Sequence, residues 1–597
     1  MEQAAQEAGG QRIFVARLTV GLAQGLALYL LYYAHDNKSW PATDPNLFAP
    51  SLLVFLFVPL LVLQGMGNLR KRTLIVWTVL ATAVAAGFAW YDVWHAWPTD
   101  LHWANGAQVA VAHVTPSPRV LVFTAVFLFV AHTLISCSEA DRRLVPRYAT
   151  LFDLAWKLGV QLAIAAAFVA TFWIILWLGV ALFEMIKLHF FKTFIRHSWF
   201  AIPVTALATA VAIHITDTRG NLVRGVRTLA LMLLGWLLPV IALIAFAFLI
   251  SLVFTGLKPL WETRTATALL LVASAVLVIH INAAYQDGDP ERRPHHALRV
   301  AGTLACVMLI FIVTIAAYAL WLRVDQYGWT VDRIDTAAVT LVAICFAVGY
   351  FIAALLPTPW LKLIEGWNYL TTILGLAILF ALFTPLADPV RLSVASQMER
   401  LKSGKVKIEA FDFNYLRWEG GRFGRDALTE LGKSKDSHVR EAALAALKQA
   451  NRYTIVGSRK ASPEETAAAI TVYPKGRTLP ASFLRQDWKG TDAAGFPCLF
   501  GTDRCDAIIT DLDGDSVDEV VLVTRLGSGS WAQIGEFKQD GKVWRLIGAR
   551  YGFVCAGDRE ALIAGQFKAA TPEERDILVG AKRLRVTPPN NTDIPCK

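Results

Sequence analysis

Charge is scarce in this chain. Only 17% of its 597 residues are Asp, Glu, Lys or Arg and 55% are hydrophobic, whereas soluble domains carry about a quarter charged residues. The shortage is uneven. Residues 1–390 hold 25 basic and 20 acidic side chains; subtracting these from totals of 57 and 47 leaves 32 and 27 for the last 207 positions, an ordinary soluble density. A single soluble domain is therefore excluded, as is a disordered or fibrous chain. Local signatures of catalysis are also missing. No G-x-x-x-x-G-K-[ST], G-x-G-x-x-G, H-E-x-x-H or G-x-S-x-G occurs, so phosphate-loop, dinucleotide, zincin and hydrolase-elbow chemistry have no local support. Cysteine is sparse, at seven residues, and forms no C-x-x-C pair, which counts against a zinc site.

What the first part has instead is a series of apolar gaps between charge clusters. A hydrocarbon core of about 30 Å needs roughly 20 residues of helix. The qualifying segments are Leu18–Tyr33, Leu52–Met66, Leu74–Trp90, Val120–Ile135, Leu158–Ile186, Phe200–Ile215, Leu229–Phe254, Ala266–Ile281, Val300–Leu322, Ala337–Leu356 and Leu370–Leu386. The first has Tyr32, Tyr33 and His35 where a cleavage site wants small residues, so it reads as a retained anchor. After Asp388 the chain turns polar, with helical patterns at Leu392–Lys402 and His438–Gln449. Strand patterns then follow in AITVYP, DAIITDL, DEVVLVTRL, WAQIGEF and VWRLIGARYGF, the last two joined by Asp540-Gly541, a hairpin turn signal. The fold class is a polytopic α-helical membrane protein of about eleven transmembrane helices with a C-terminal soluble α+β domain. Residues 1–388 form the transmembrane domain, 389–460 a helical juxtamembrane segment, and 461–597 a sheet-rich domain.

Cytoplasmic loops retain Lys and Arg. With the N-terminus inside, sixteen basic residues of the membrane part fall inside and nine outside. The expectation is a bacterial inner-membrane protein with a cytoplasmic N-terminus and a periplasmic tail. The dissenting segment, Lys187–Trp199, fits a helix lying on lipid headgroups. A net charge of +10 suits a membrane surface; the expected partners are membrane lipids and other envelope proteins, and nothing points to nucleic acid. Cys137, Cys306 and Cys345 lie within or at the ends of spans and read as small apolar residues. Cys498, Cys505, Cys555 and Cys596 lie in the tail, and an even number in an oxidising compartment suggests bridges. The short loop makes Cys498–Cys505 the first pairing, leaving Cys555 with Cys596; free thiols are the alternative.

Asp511, Asp513, Asp515 and Glu519 occupy positions 1, 3, 5 and 9 of one acidic segment. A turn at Gly514 lets them converge on a hard cation, with the Val517 carbonyl adding an oxygen. The segment resembles the calcium loop of FG-GAP or VCBS-type repeats, which implies a structural Ca2+; a solvated acidic turn is the competing reading. His132, His214, His280, Asn282 and Glu184 lie in or near spans, where polar residues suggest relays, yet they are dispersed and close to span ends. No catalytic residue emerges.

Two arginine-bearing patches complete the reading. One is Gln326-Tyr327-Gly328-Trp329-Thr330-Val331-Asp332-Arg333. The other is Asp388-Pro389-Val390-Arg391-Leu392-Ser393-Val394-Ala395-Ser396-Gln397, continuing through Phe411-Asp412-Phe413-Asn414-Tyr415-Leu416-Arg417 to Arg422 and Arg425. Arg333, Arg391, Arg417, Arg422 and Arg425 beside aromatics suit a phosphate or carboxylate headgroup; pinning the soluble domain to the bilayer is the plainer role. The Tyr-Gly-Trp-Thr-x-x-Arg, Asp-Pro-x-Arg-Leu-Ser-Val-x-Ser-Gln and Phe-Asp-x-x-x-Leu-Arg stretches resemble the bacterial membrane family called domain of unknown function four-one-five-three, from about Leu18 to Arg425. The resemblance implies a polytopic inner-membrane protein and supplies no activity. The functional expectation is an envelope scaffold, sensor or binding protein acting through its periplasmic domain; a transporter and a lipid-linked glycosyl or headgroup transferase are the alternatives.

Overall fold

A computed structural model describes the chain except residues 1, 97–99, 105–106, 112–114, 264, 290–293, 357–358, 450–460, 489–490, 492, 494–495, 502–503, 525–530, 542, 554–560, 563, 568–576, 580–581 and 585–597. The described residues cluster into two compact units. One comprises residues 1–102, 110–406 and 418–427; the other comprises 103–109, 407–417 and 428–597.

The first unit is helical. Its elements are α1 (Glu2–Asp36), α2 (Pro45–Gly65), α3 (Lys71–His95), α4 (Pro118–Asp141), α5 (Tyr148–Met185), the short α6 (Phe190–Arg196), α7 (Ser198–Thr218), α8 (Gly220–Thr255), the short α9 (Lys258–Glu262), α10 (Ala266–Tyr285), α11 (His296–Tyr327), α12 (Val331–Leu355) and α13 (Ile364–Leu382). Among the described residues, eleven of these are long and apolar enough to cross a bilayer, and each expected span falls on one of them. Helix is the open-chain solution here because hydrocarbon offers no partner to an exposed peptide group. The helices outrun the apolar runs because polar residues continue them into the headgroup region. Within the segment Lys187–Trp199 the structure forms the short helix α6.

Two local rules of membrane packing are visible in α1. Gly21 and Gly25, spaced as G-x-x-x-G, face α7 so closely that an added Cβ would lie 2.6 Å from Ala210 Cβ and 2.5 Å from Pro203 Cα. Small residues at this spacing let two helix backbones approach. One turn away, Pro59 inside α2 cannot donate to the Phe55 carbonyl four residues back. The buried Gln24 amide donates to Phe55 O and Leu56 O, each at 3.1 Å. A proline defect in one helix is thus repaired by a side chain of its neighbour. The largest apolar cluster joins α8, α10, α11 and α12 around Leu238, Leu277, Ile281, Leu309, Ile312 and Tyr350.

Beyond the membrane helices come α14 (Pro389–Lys402), α15 (Phe413–Trp418), α16 (Gly421–Leu431), α17 (Ser437–Lys448), α18 (Pro463–Ala469) and α19 (Ala481–Arg485). β1 (Asp100–Ala104) and β2 (Ala107–Val111) form a small ladder in the loop after α3. The second unit is built on a five-stranded sheet of β3 (Ile470–Tyr473), β4 (Cys505–Thr510), β5 (Glu519–Thr524), β6 (Trp531–Asp540) and β7 (Val543–Phe553), in that spatial order. β3 runs parallel to β4, and the other pairs are antiparallel. A two-stranded ladder, β8 (Ile577–Val579) with β9 (Lys582–Leu584), follows. The core packs Phe483, Trp488, Phe496, Phe537 and Trp544 against Val520 and Leu522. Cys498 and Cys505 are bridged, with Cα atoms 5.7 Å apart, tying a short turn of helix to the start of β4. Cys555 and Cys596 lie outside the described residues. Cys137, Cys306 and Cys345 are free thiols.

The α1–α7 contact generates a test. Gly25→Leu should lower the unfolding free energy of the detergent-solubilised chain by about 1–3 kcal/mol, the usual penalty for overpacking. Gly87→Leu on α3, where an added Cβ meets nothing within 4 Å, should leave it nearly unchanged. Equal melting shifts for the two variants would refute the close-packing account.

Candidate functional site

In the helical unit, the two arginine-bearing sequence patches meet. α11 ends at Gly328, whose φ of +76° turns the chain and whose N–H closes on Val324 O at 2.8 Å. The last carbonyls of any helix lack internal partners. Here one face of α14, at positions i, i+3, i+4 and i+7, supplies partners for these carbonyls and for the turn at Trp329 that follows them. Ser393 Oγ donates to Trp329 O at 3.1 Å, and Ser396 Oγ accepts from Trp329 N at 3.3 Å. Gln397 Nε2 donates to Tyr327 O at 3.2 Å and Trp329 O at 3.0 Å. Arg400 donates to Asp325 O at 2.9 Å and Gln326 O at 2.7 Å, a cation placed at the negative end of the α11 dipole. Asp388 caps α14 by accepting from Val390 N at 2.8 Å, and its other oxygen accepts from Tyr91 OH at 2.7 Å. The motif residues therefore fasten the chain's exit from the last membrane helix.

The five arginines are placed as follows. Arg333 donates to Gly328 O at 2.6 Å with its guanidinium 5.3 Å from the Tyr327 ring centroid. Arg391 donates to Leu386 O at 3.3 Å. Arg422 lies 4.2 Å over the Trp94 ring, and Arg425 is 3.8 Å from Asp426. Arg417 belongs to the other unit, where it is buried and donates to Gln449 O at 3.3 Å; desolvation lowers its pKa.

Several polar groups inside the membrane part bond one another. Asn282 accepts from Asn368 Nδ2 at 2.7 Å and from Tyr148 OH at 3.2 Å, and it donates to Tyr350 OH at 2.6 Å. Tyr350 OH returns to Asn368 Oδ1 at 2.6 Å, closing a ring that joins α5, α10, α12 and α13. His132 Nδ1 accepts from Trp77 Nε1 at 3.0 Å, and His280 Nδ1 lies 2.7 Å from Val276 O. His214 lies 3.4 Å from Arg17, which is itself buried and bridges Asp217 and Met66 O at 2.6 Å each. Glu184 pairs with Lys192 of α6 at 2.8 Å.

In the second unit, the acidic loop folds on itself between β4 and β5. Asp511 accepts from Gly514 N at 2.7 Å and Ser516 N at 3.0 Å. Asp515 accepts from Val517 N at 2.9 Å, and Glu519 accepts from Leu512 N at 2.8 Å. Gly514 and Ser516 both adopt positive φ, +81° and +68°, which bends the loop inward. Carboxylate oxygens of Asp511, Asp513 and Glu519 come within 4.8 Å of one another. The sequence pattern missed one participant: Lys538 of β6 bonds Asp513 and Asp515, the latter at 2.6 Å, and lies 3.4 Å from Glu519. The two aspartates raise the Lys538 pKa, and Lys538 holds Asp515 below its usual range. Val517 is exposed.

Among the described residues, eleven apolar helices of spanning length, cross-linked by polar contacts such as the Asn282 ring, define a polytopic helical membrane protein. Residues 25–433 match the family model described as Domain of unknown function (DUF4153), and the chain belongs to that family. No curated protein and no solved structure matches. The match takes in all three motif stretches and ends before the acidic loop.

The fastening of α11 to α14 can be measured. Gly328→Ala would place a Cβ 2.6 Å from Arg400 Cδ besides straining a left-handed backbone, which costs about 1–3 kcal/mol. Gly404→Ala has a similar φ of +71° but open space around the added atom. Gly328→Ala should therefore destabilise the solubilised chain more than Gly404→Ala, and Arg400→Ala should remove most of the difference. Equal unfolding midpoints for the two glycine variants would contradict the clamp.

Proposed function

We propose that this chain is a binding or scaffolding protein of the bacterial inner membrane, with a cytoplasmic N-terminus and a periplasmic C-terminal domain that does the binding. The observation that carries the reading is the Cys498–Cys505 bridge, because disulfides persist in oxidising compartments such as the periplasm. The positive-inside count supports the same orientation. The pairing of Gln24 and of the Asn282 ring with neighbouring helices supports a membrane part whose polar groups hold the bundle together. In this reading the acidic loop takes a structural Ca2+ through Asp511, Asp513, Asp515, Glu519 and the Val517 carbonyl, and Lys538 yields its place to the ion.

Three measurements bear on this. A reporter fused after Lys597 should be active only if it works in the periplasm, and one inserted at Gly288 only if it works in the cytoplasm; activity on one side for both sinks the topology. Removing residues 461–597 should reproduce the phenotype of deleting the whole chain, and full activity of the truncated protein would shift the function into the membrane part. Calcium should raise the melting temperature of the full chain by mass action. Asp513→Ala should abolish that rise and Lys538→Met should enhance it. If calcium moves none of the three proteins, the loop is a lysine-bridged acidic turn.

A further inference from the structure

An open cleft of about 510 Å3 lies where α10, α11 and α12 come together at the end of the bundle that carries α14. Its floor is apolar, made of Leu271, Leu320 and Val339, and its rim carries Arg323, Arg333 and Asp335. The carboxylate among these lining residues is engaged from outside the cleft. Asp335 is held by the Arg119 fork, Nε at 2.5 Å and Nη2 at 2.6 Å, a bidentate pairing that commits that carboxylate. Arg323 is different. Among the described residues its one acceptor is Trp261 O, at 3.4 Å, and no carboxylate pairs with it. Arg333 is fixed in position by Gly328 O and the Tyr327 ring.

The depth of this rim is marked independently. Trp261, Tyr318 and Trp321 form a chain of ring contacts at 5.8 and 5.7 Å beside Arg323, and Tyr318 and Trp321 are exposed. Tryptophan and tyrosine collect at the membrane–water boundary, so the guanidinium groups stand at headgroup level with the apolar floor beneath them in the acyl region. α10 and α12 both begin at this end, turning the positive ends of their dipoles the same way.

We propose that this cleft binds an anionic phospholipid, with its phosphate on Arg323 and Arg333 and an acyl chain along Leu271, Leu320 and Val339. A cationic rim above an apolar floor complements a molecule that has both parts. The proposal concerns the membrane part alone and stands apart from the calcium and periplasmic readings.

The test is lipid retention by the full-length chain in detergent, read by native mass spectrometry after mixing with equal phosphatidylglycerol and phosphatidylcholine. Phosphatidylglycerol should be retained about tenfold over phosphatidylcholine, the scale of one charge-assisted hydrogen bond. Arg323→Gln should bring the ratio near one. Arg224→Gln, an exposed arginine at the far end of α8, should leave it unchanged. Val339→Trp keeps both arginines and fills the floor; it should lose phosphatidylglycerol retention while melting like the parent chain. Glycerol phosphate at the same concentration should displace nothing. Equal retention of the two lipids, an Arg323→Gln ratio like the parent's, or displacement by glycerol phosphate would overturn the proposal.

Discussion

The carbonyls at the end of α11 have no further turn of helix to bond, and the side chains that take them lie on one face of α14. Much of this end of the bundle depends on that arrangement. It fixes Gly328 and Trp329, hence the point at which α12 starts and the carbonyl on which Arg333 rests. Through Asp388, which caps α14 and accepts from Tyr91, it also fixes α14 to α3. The chain therefore leaves its last membrane helix in a defined direction. Arg400 suits its position better than a neutral donor would, because two adjacent carbonyls at a helix C-terminus present a concentrated negative potential.

Inside the bundle a second constraint governs. Hydrocarbon cannot hydrogen-bond, so a polar group is tolerated where another group meets it. Gln24 answers the defect made by Pro59, and the Asn282–Tyr350–Asn368 ring satisfies amides and hydroxyls from separate helices at once. Such contacts have direction, which apolar packing lacks. They set the rotation of α10, α12 and α13 about their own axes, while the small residues of α1 set how near α7 can come.

The spans were readable because the cost of putting charge in lipid is large and local, so the sequence marks them residue by residue. The five strands of the main sheet were readable from alternation and the Asp540-Gly541 turn. α15 and α16 were not: Gly421 and Gly424 weaken the helical signal of the latter, and α15, at 6 residues, is too short to show a period. Gly421 is there for another reason, since a Cβ at that position would lie 2.5 Å from His95 O. The side-chain partners were less legible still. Ser393, Ser396, Gln397 and Arg400 show helical spacing in the sequence, but their partners are backbone atoms some 70 positions earlier. The close approach at Gly21 and Gly25 became visible only in the structure, because nothing in their spacing names α7 as the partner. Arg17 and Asp217 are 200 positions apart, and only the packing of α1 against α7 joins them.

Lys538 shows why the acidic loop could not be read from its own residues. It enters from β6, 25 positions beyond Asp513, and strand register alone delivers it. Asp511, Asp513, Asp515 and Glu519 bring four negative charges to one turn, and Lys538 returns one, leaving three. Glu519 is 1% exposed, so water screens its share poorly. Backbone N–H groups of Leu512, Gly514, Ser516 and Val517 soften the repulsion, yet those dipoles hold the carboxylates in place more than they neutralise them. A divalent ion at the point where Asp511, Asp513 and Glu519 converge would compensate more charge than one ammonium. On the proposed reading Asp515 turns to the same ion, and Lys538 yields its place. Under the calcium proposal the lysine and the ion are alternative cations for one cage; without calcium, the lysine alone offsets the carboxylates.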